Sequence, residues 1–202
     1  DNPALALACA EHQQVIPLYI KELKPRIALG GAQQWWLYHS LTALQKELQK
    51  GSLDLYFRQA EPLPLLQELI ATHSIDVIYW NRCYEPAHTA RDKHIKTALK
   101  KLGVKVITCN SALLHEPWDI VNKAGSHFKV FTPYWRHCLR HMQLRPLYTI
   151  EHWPEKHAIA SDCLDDWDLL PSKPNWAKSF HEYWQPGEQG AIRQLDSFLS
   201  NS

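Results

Sequence analysis

Apolar residues recur along this chain in two alternating rhythms: short runs of β-forming residues, and longer stretches spaced at three and four. Asn2 is placed to cap a helix whose first position is Pro3, since proline lacks only an N–H that would be unpaired there, and Ala4 to Ala8 continue it. Gln14 to Ile20 (QVIPLYI) reads as a buried strand despite Pro17, which cannot donate to a ladder. After Gly30-Gly31, Leu37, Leu41, Leu44 and Leu48 fall on one face of a long helix that stops near Gly51. Leu53 to Arg58 predicts a strand, and Leu63 to Thr72 a helix with Leu65, Leu66, Leu69 and Ile70 inward; Ile75 to Trp80 predicts a further strand. A helix from about Pro86 to Leu102 places Ile95, Ala98, Leu99 and Leu102 on one face, and Gly103 separates it from the strand Val104 to Thr108.

Strands alternating with helices of crossover length imply a parallel sheet covered on both faces, a doubly wound α/β domain. From about Asn110 the pattern fades into loops and short helices. Pro146, Pro154, Pro171 and Pro174 punctuate a long irregular connector from Arg145 to Pro186, and Gly187 to Leu199 resumes helical spacing through Ile192, Leu195, Phe198 and Leu199.

Composition narrows the classes. With 202 residues, 45% hydrophobic and 21% charged, the chain can bury one core, alone or with an appendage. Its 22 Lys+Arg against 21 Asp+Glu leave a net charge of +1, which excludes nucleic-acid binding by bulk electrostatics and requires any such partner to use a local patch. No apolar run approaches the roughly 18 to 20 residues of a membrane span. The five cysteines, Cys9, Cys83, Cys109, Cys138 and Cys163, are odd in number and form no CxxC pair, which fits a reducing cytoplasm better than a disulfide scaffold. The sequence begins at Asp1 rather than Met, and the expectation is that it is cut from something larger.

Ligands of parallel sheets bind outside the carboxyl ends of the strands, so the informative loops are Lys21-Glu22, Asn81-Arg82-Cys83-Tyr84-Glu85-Pro86 and Asn110-Ser111. Their polar, charged and aromatic groups suit a flat heteroaromatic ligand; equally, Asn81 and Glu85 can serve only to satisfy loop backbone and cap the next helix. No phosphate-cradling glycine motif and no catalytic constellation is present. His88 with His94 and His137 with His141 lack an accompanying carboxylate pattern, so no metal is expected, and Cys83 reads as an inert thiol. Of Trp35 and Trp36, one is expected in the core and the other about 100° away on the helix. Phe131 to Arg136 (FTPYWR) carries enough aromatic surface to pack against another structural unit.

Several blocks in order resemble the N-terminal half of bacterial class I DNA photolyases in the photolyase/cryptochrome family. They are Gly31-Ala32-Gln33-Gln34-Trp35-Trp36-Leu37, Tyr79 to Pro86 with Ala90-Arg91-Asp92, Leu114-His115-Glu116-Pro117, and Lys129 to Trp135. The connector blocks Leu169 to Trp176 and Trp184 to Glu188 agree as well. The resemblance implies a Rossmann-like sheet of about five strands, divided as an antenna-binding domain over 1–140, an interdomain connector over 141–186 and the start of a helical FAD-binding domain over 187–202. Family members open with a strand of the type V-W-F-R-x-D-L-R before the segment matched by Asp1 to Leu5; that strand is missing here, and the expectation is an omission from the sequence, the alternative being that another segment or chain fills its place.

The activity implied for the intact protein is FAD-dependent, blue-light repair of cyclobutane pyrimidine dimers in damaged DNA, with no catalytic residue in these 202 residues and this portion harvesting light or scaffolding its own C-terminal FAD-binding domain. The implied antenna contacts are Tyr19, Ile20, Lys21, Trp35, Asn81, Cys83 and Glu85. Folate-binding members carry an amide and an acid where this chain has Ala87 and His88, so a deazaflavin or flavin antenna is expected before a folate, if one binds. Alternatives are a cryptochrome-like photoreceptor without repair activity and a stand-alone nucleotide-binding α/β module.

Overall fold

A computed structural model describes residues 2–25, 28–143, 145 and 147–201; Asp1 and Pro146, named above, lie outside them. The chain forms two compact units, Asp1–Glu11 with Ile75–Glu151, and His12–Ser74 with His152–Ser202.

The first unit opens on α1 (Pro3–Glu11), capped as the sequence predicts: the Asn2 side-chain oxygen accepts from the Leu5 N–H at 3.1 Å. This helix is apolar on several faces and buries Pro3, Ala4, Ala6, Ala8 and Cys9. It packs on β4 (Val77–Asn81) and β5 (Lys105–Cys109), which pair in parallel from Val77 opposite Lys105 to Asn81 opposite Cys109. The crossover is α4 (Pro86–Lys101), whose Ile95 and Leu99 are buried. Leu102, expected on that inward face, is exposed: it caps the helix one residue before Gly103, which turns the chain at φ +81°. Beyond β5 the chain runs through side-chain-closed turns at Asn110 and Asn122 into α5 (Phe131–His141). There Cys138 is buried, while Phe131 and Trp135 stack at 6.3 Å and stay exposed.

In the second unit the run Gln14 to Ile20 is two strands rather than one, β1 (Gln14–Val15) and β2 (Leu18–Lys21). Pro17 supplies no ladder N–H, and its carbonyl instead accepts from Tyr56 N–H at 2.9 Å, which sets the register of β2 against β3 (Tyr56–Gln59). Their crossover is α2 (Gly31–Lys50), ended at Gly51, which buries Trp35, Leu41 and Leu48. Leu44, expected on the same face, is exposed, because the helix packs along a narrower stripe than its leucine spacing offers. Leu53 and Leu55 are buried in the approach to β3 rather than in the strand. Next, α3 (Pro62–His73) buries Leu65 and Leu69, with Leu66 and Ile70 half-buried.

The connector is irregular but fastened. Its strand β6 (Glu155–Lys156) pairs in parallel with β1. Ser161 Oγ accepts from Phe57 N–H at 3.0 Å, Asp162 N–H donates to the Phe57 carbonyl at 2.7 Å, and Asp162 Oδ2 accepts from Gln59 N–H at 2.6 Å. Those three bonds satisfy an edge of β3 that a bare strand would leave open. A 3₁₀ turn (Leu164–Trp167), a short α6 (Phe180–Tyr183) and α7 (Glu188–Ser200) complete the chain. The parallel α/β alternation is therefore present, with strands bonded two by two: β1 with β6, β2 with β3, β4 with β5.

Candidate functional site

At the carboxyl end of β4, Asn81 uses both ends of its amide: Nδ2 donates to Asn2 Oδ1 at 2.8 Å, and Oδ1 accepts from Ala4 N–H at 3.2 Å. It thus ties the start of α1 to the strand end, rather than capping α4. The Arg82 guanidinium donates to the Glu116 carboxylate, to the Thr108 carbonyl at 2.7 Å and to Thr108 Oγ1 at 3.2 Å, and lies over the Trp118 ring. Tyr84 donates its hydroxyl to the same carboxylate at 3.0 Å. Glu116 is the buried acid that this cluster accommodates.

Cys83 is half-buried, and burial, aided by Asp92, pushes its thiol above the ordinary range. Its carbonyl accepts from Thr89 Oγ1 at 3.1 Å, closing the loop onto α4. Glu85 stands at the N-cap of α4 without a side-chain cap bond. Its exposed carboxylate instead approaches His88 Nδ1 at 3.5 Å, and its own backbone N–H, then His88, hold it below the usual carboxylate range.

In the other unit, Tyr19, Ile20 and Lys21 are half-buried along β2. The Tyr19 ring lies 6.0 Å from the Trp167 ring, and Lys21 Nζ sits 5.3 Å over that ring while donating to the Trp167 carbonyl at 3.2 Å. Trp167 is buried, and its indole N–H finds no partner among the described residues. Trp35 is the core member of its pair, 3% exposed and edge-on to His39, Phe180 and His181, whereas Trp36 is exposed and meets Trp184 at 5.9 Å. Beside them a cavity of about 330 Å³ is lined by His39, Lys46, His181, Trp184 and Gln185. Burial, then His181, hold the His39 imidazole below its ordinary value.

The expected contacts therefore fall in two groups, Asn81, Cys83 and Glu85 in one unit and Tyr19, Ile20, Lys21 and Trp35 in the other. Sequence reasoning missed Trp167 and Glu116, which lie in irregular segments without periodicity. It also paired His88 with His94, whereas the fold sets His88 beside Cys83 and Glu85.

Parallel strand pairs joined through crossover helices define an α/β protein. The family model described as DNA photolyase matches residues 1–156, and the chain belongs to that family. It is 39% identical over 209 residues to the deoxyribodipyrimidine photo-lyase of Agrobacterium fabrum, covering 100% of this chain and 42% of that protein. It is 31% identical to Cryptochrome-1 of Arabidopsis thaliana, covering 99% of this chain and 30% of that one. The chain thus spans about two fifths or less of these relatives.

Among solved structures, a bacterial class III photolyase from Agrobacterium tumefaciens superposes with a TM-score of 0.83 at 39% identity, covering 98% of this chain and 42% of that one. An archaeal photolyase from Sulfolobus tokodaii superposes with a TM-score of 0.67 over 82% of this chain and 37% of that one; at 22% identity it shows the fold alone. The part matched is the photolyase N-terminal domain. No described helix is long and apolar enough to cross a membrane.

Proposed function

We propose that this chain is the N-terminal α/β part of a deoxyribodipyrimidine photolyase that repairs cyclobutane pyrimidine dimers in DNA with blue light. The carrying observation is the 39% identity to a photo-lyase across 100% of the chain, connector included. FAD and the damaged DNA are partners of the intact protein: this chain has no glycine motif for a dinucleotide phosphate and no bulk positive charge for DNA. Its five free cysteines support a cytoplasmic protein. The order of the sequence blocks favours class I, while the likeness to a class III structure at TM-score 0.83 favours class III; we adopt class III, since that likeness extends over 98% of the chain.

Within this part, light harvesting falls to two groups of candidate chromophore contacts. Tyr19, Ile20 and Lys21 form one, with the buried Trp35 in the same unit; there the buried Trp167 N–H, without a partner among the described residues, and the Lys21 ammonium suit an anionic, ring-shaped ligand. Asn81, Cys83 and Glu85 form the other. An antenna chromophore supplies near-ultraviolet or blue absorption and passes the excitation on; the protein's task is to hold it in place and exclude water. With Ala87 and His88 where folate-binding members have an amide and an acid, a deazaflavin or flavin is the reading adopted.

Illuminating the intact, FAD-loaded protein with dimer-containing DNA should remove the dimers. Absence of repair with reduced FAD bound would instead support the cryptochrome reading, which the 31% identity to Cryptochrome-1 keeps in view. For the antenna, an absorption band beyond that of FAD should weaken in Lys21→Ala or Glu85→Ala; FAD bands alone refute it.

A further inference from the structure

We propose that Cys83, Glu85 and His88 form a binding site for a divalent transition metal of the zinc type. This goes beyond the light-harvesting reading; because Cys83 and Glu85 also stand among the candidate chromophore contacts, a metal and a chromophore would be alternative occupants at this strand end. The Cys83 thiol sulfur, a Glu85 carboxylate oxygen and a His88 ring nitrogen all lie within 4.8 Å of one another. In a tetrahedral site with Zn–S near 2.3 Å and Zn–N or Zn–O near 2.0–2.1 Å, neighbouring ligand atoms stand about 3.3 to 3.6 Å apart. Glu85 Oε2 and His88 Nδ1 already stand 3.5 Å apart, the length of such an edge. The remaining closure is at most about 1.5 Å, from the 4.8 Å bound to a tetrahedral edge, and Glu85 and His88 are exposed side chains free to make it.

The backbone that carries the three ligands is fastened. Thr89 Oγ1 donates to the Cys83 carbonyl at 3.1 Å, Thr89 N–H donates to the Glu85 carbonyl at 2.9 Å, and Pro86 fixes the chain between them. One sulfur, one oxygen and one nitrogen form a mixed donor set that suits zinc and its spectroscopic substitute cobalt, leaving a fourth position for water. The N-terminus of α4 opposes a cation with its partial positive charge, and the thiolate and carboxylate bring two full negative charges against it. On binding, the thiol proton passes to solvent and the sulfur lone pair forms the metal bond, so no oxidant or co-reactant is required.

The test is titration of the intact, reduced protein with Co²⁺ and then Zn²⁺, read by cobalt absorption and by equilibrium dialysis. One equivalent binding at this site with a thiolate-to-cobalt charge-transfer band, displaced by Zn²⁺, is expected. Cys83→Ser should abolish the band, and His88→Ala should weaken binding about tenfold or more, the scale on which even an outer-shell partner acts. Both variants should keep the far-UV spectrum of the parent, since neither side chain is core. His137→Ala in the stacked His137–His141 pair should change nothing. No binding, a cobalt spectrum without the thiolate band, or binding lost only in His137→Ala overturns the proposal. Lys21→Ala keeps this reading separate from the antenna: it should leave cobalt binding intact.

Discussion

Removing Arg82 tests the polar cluster that organises the carboxyl ends of β4 and β5. In Arg82→Met the alkyl stem persists and the guanidinium disappears, along with its bonds to the Glu116 carboxylate, the Thr108 carbonyl and Thr108 Oγ1. Glu116 then keeps the Tyr84 hydroxyl, while its side chain is only 11% exposed. Breaking a fully buried ion pair on one side costs about 3–5 kcal/mol. Here the Arg82 side chain is 31% exposed, so water reaches the cluster from that side and the expected loss falls to about 2–3 kcal/mol.

Glu116→Gln keeps the shape and removes the charge, leaving Arg82 its two Thr108 acceptors, for about 1–2 kcal/mol. The assay is urea denaturation of both single variants and the double variant, with the coupling taken from the cycle. Because the two side chains share one network, the double variant should cost about 1 kcal/mol or more less than the sum of the singles. If Arg82→Met costs under about 0.5 kcal/mol, or the two changes add within that margin, the cluster is a screened surface bridge and this reasoning fails.

Gly187 precedes α7 at φ +99°, and a Cβ there would stand 2.8 Å from the Ala43 Cβ, so Gly187→Ala should destabilise by about 1–3 kcal/mol. Gly103→Ala, at φ +81° with open space around it, should cost about 1 kcal/mol from backbone strain alone; equal urea midpoints for the two variants would refute the clash. The His39 imidazole is held below its ordinary value by burial and by His181, so the unfolded chain binds its proton more readily. Stability from this group is full above about pH 6.5 and falls as the pH drops through that value toward the lower folded value. Melting temperature followed from pH 7.5 to 5 should decline less in His39→Gln than in the parent, and parallel curves would refute the assignment.

The local elements were legible in the residues because their determinants are local. Asn2 before Pro3, Pro86 at the start of α4 and Gly103 at its end act on neighbours within one helical turn, and the structure places all three as read. Periodicity likewise marked Leu65, Leu69, Ile95 and Leu99 as inward, since one helix face must meet a sheet.

Only the tertiary structure decided which candidates on a face find a partner. Leu44 and Leu102 carry the right spacing and remain exposed, because burial depends on what lies opposite. The same holds at the sites. Trp167 beneath Lys21 lies 146 residues from it, Glu116 against Arg82 lies 34 away, and Ser161–Asp162 on the edge of β3 lie about a hundred away. Trp35, alike in sequence to Trp36, became the core indole because α6 delivers Phe180 and His181 to it. The residue types were written in the chain. Their neighbours were not, since no local rule relates positions that only chain folding brings within a few ångströms.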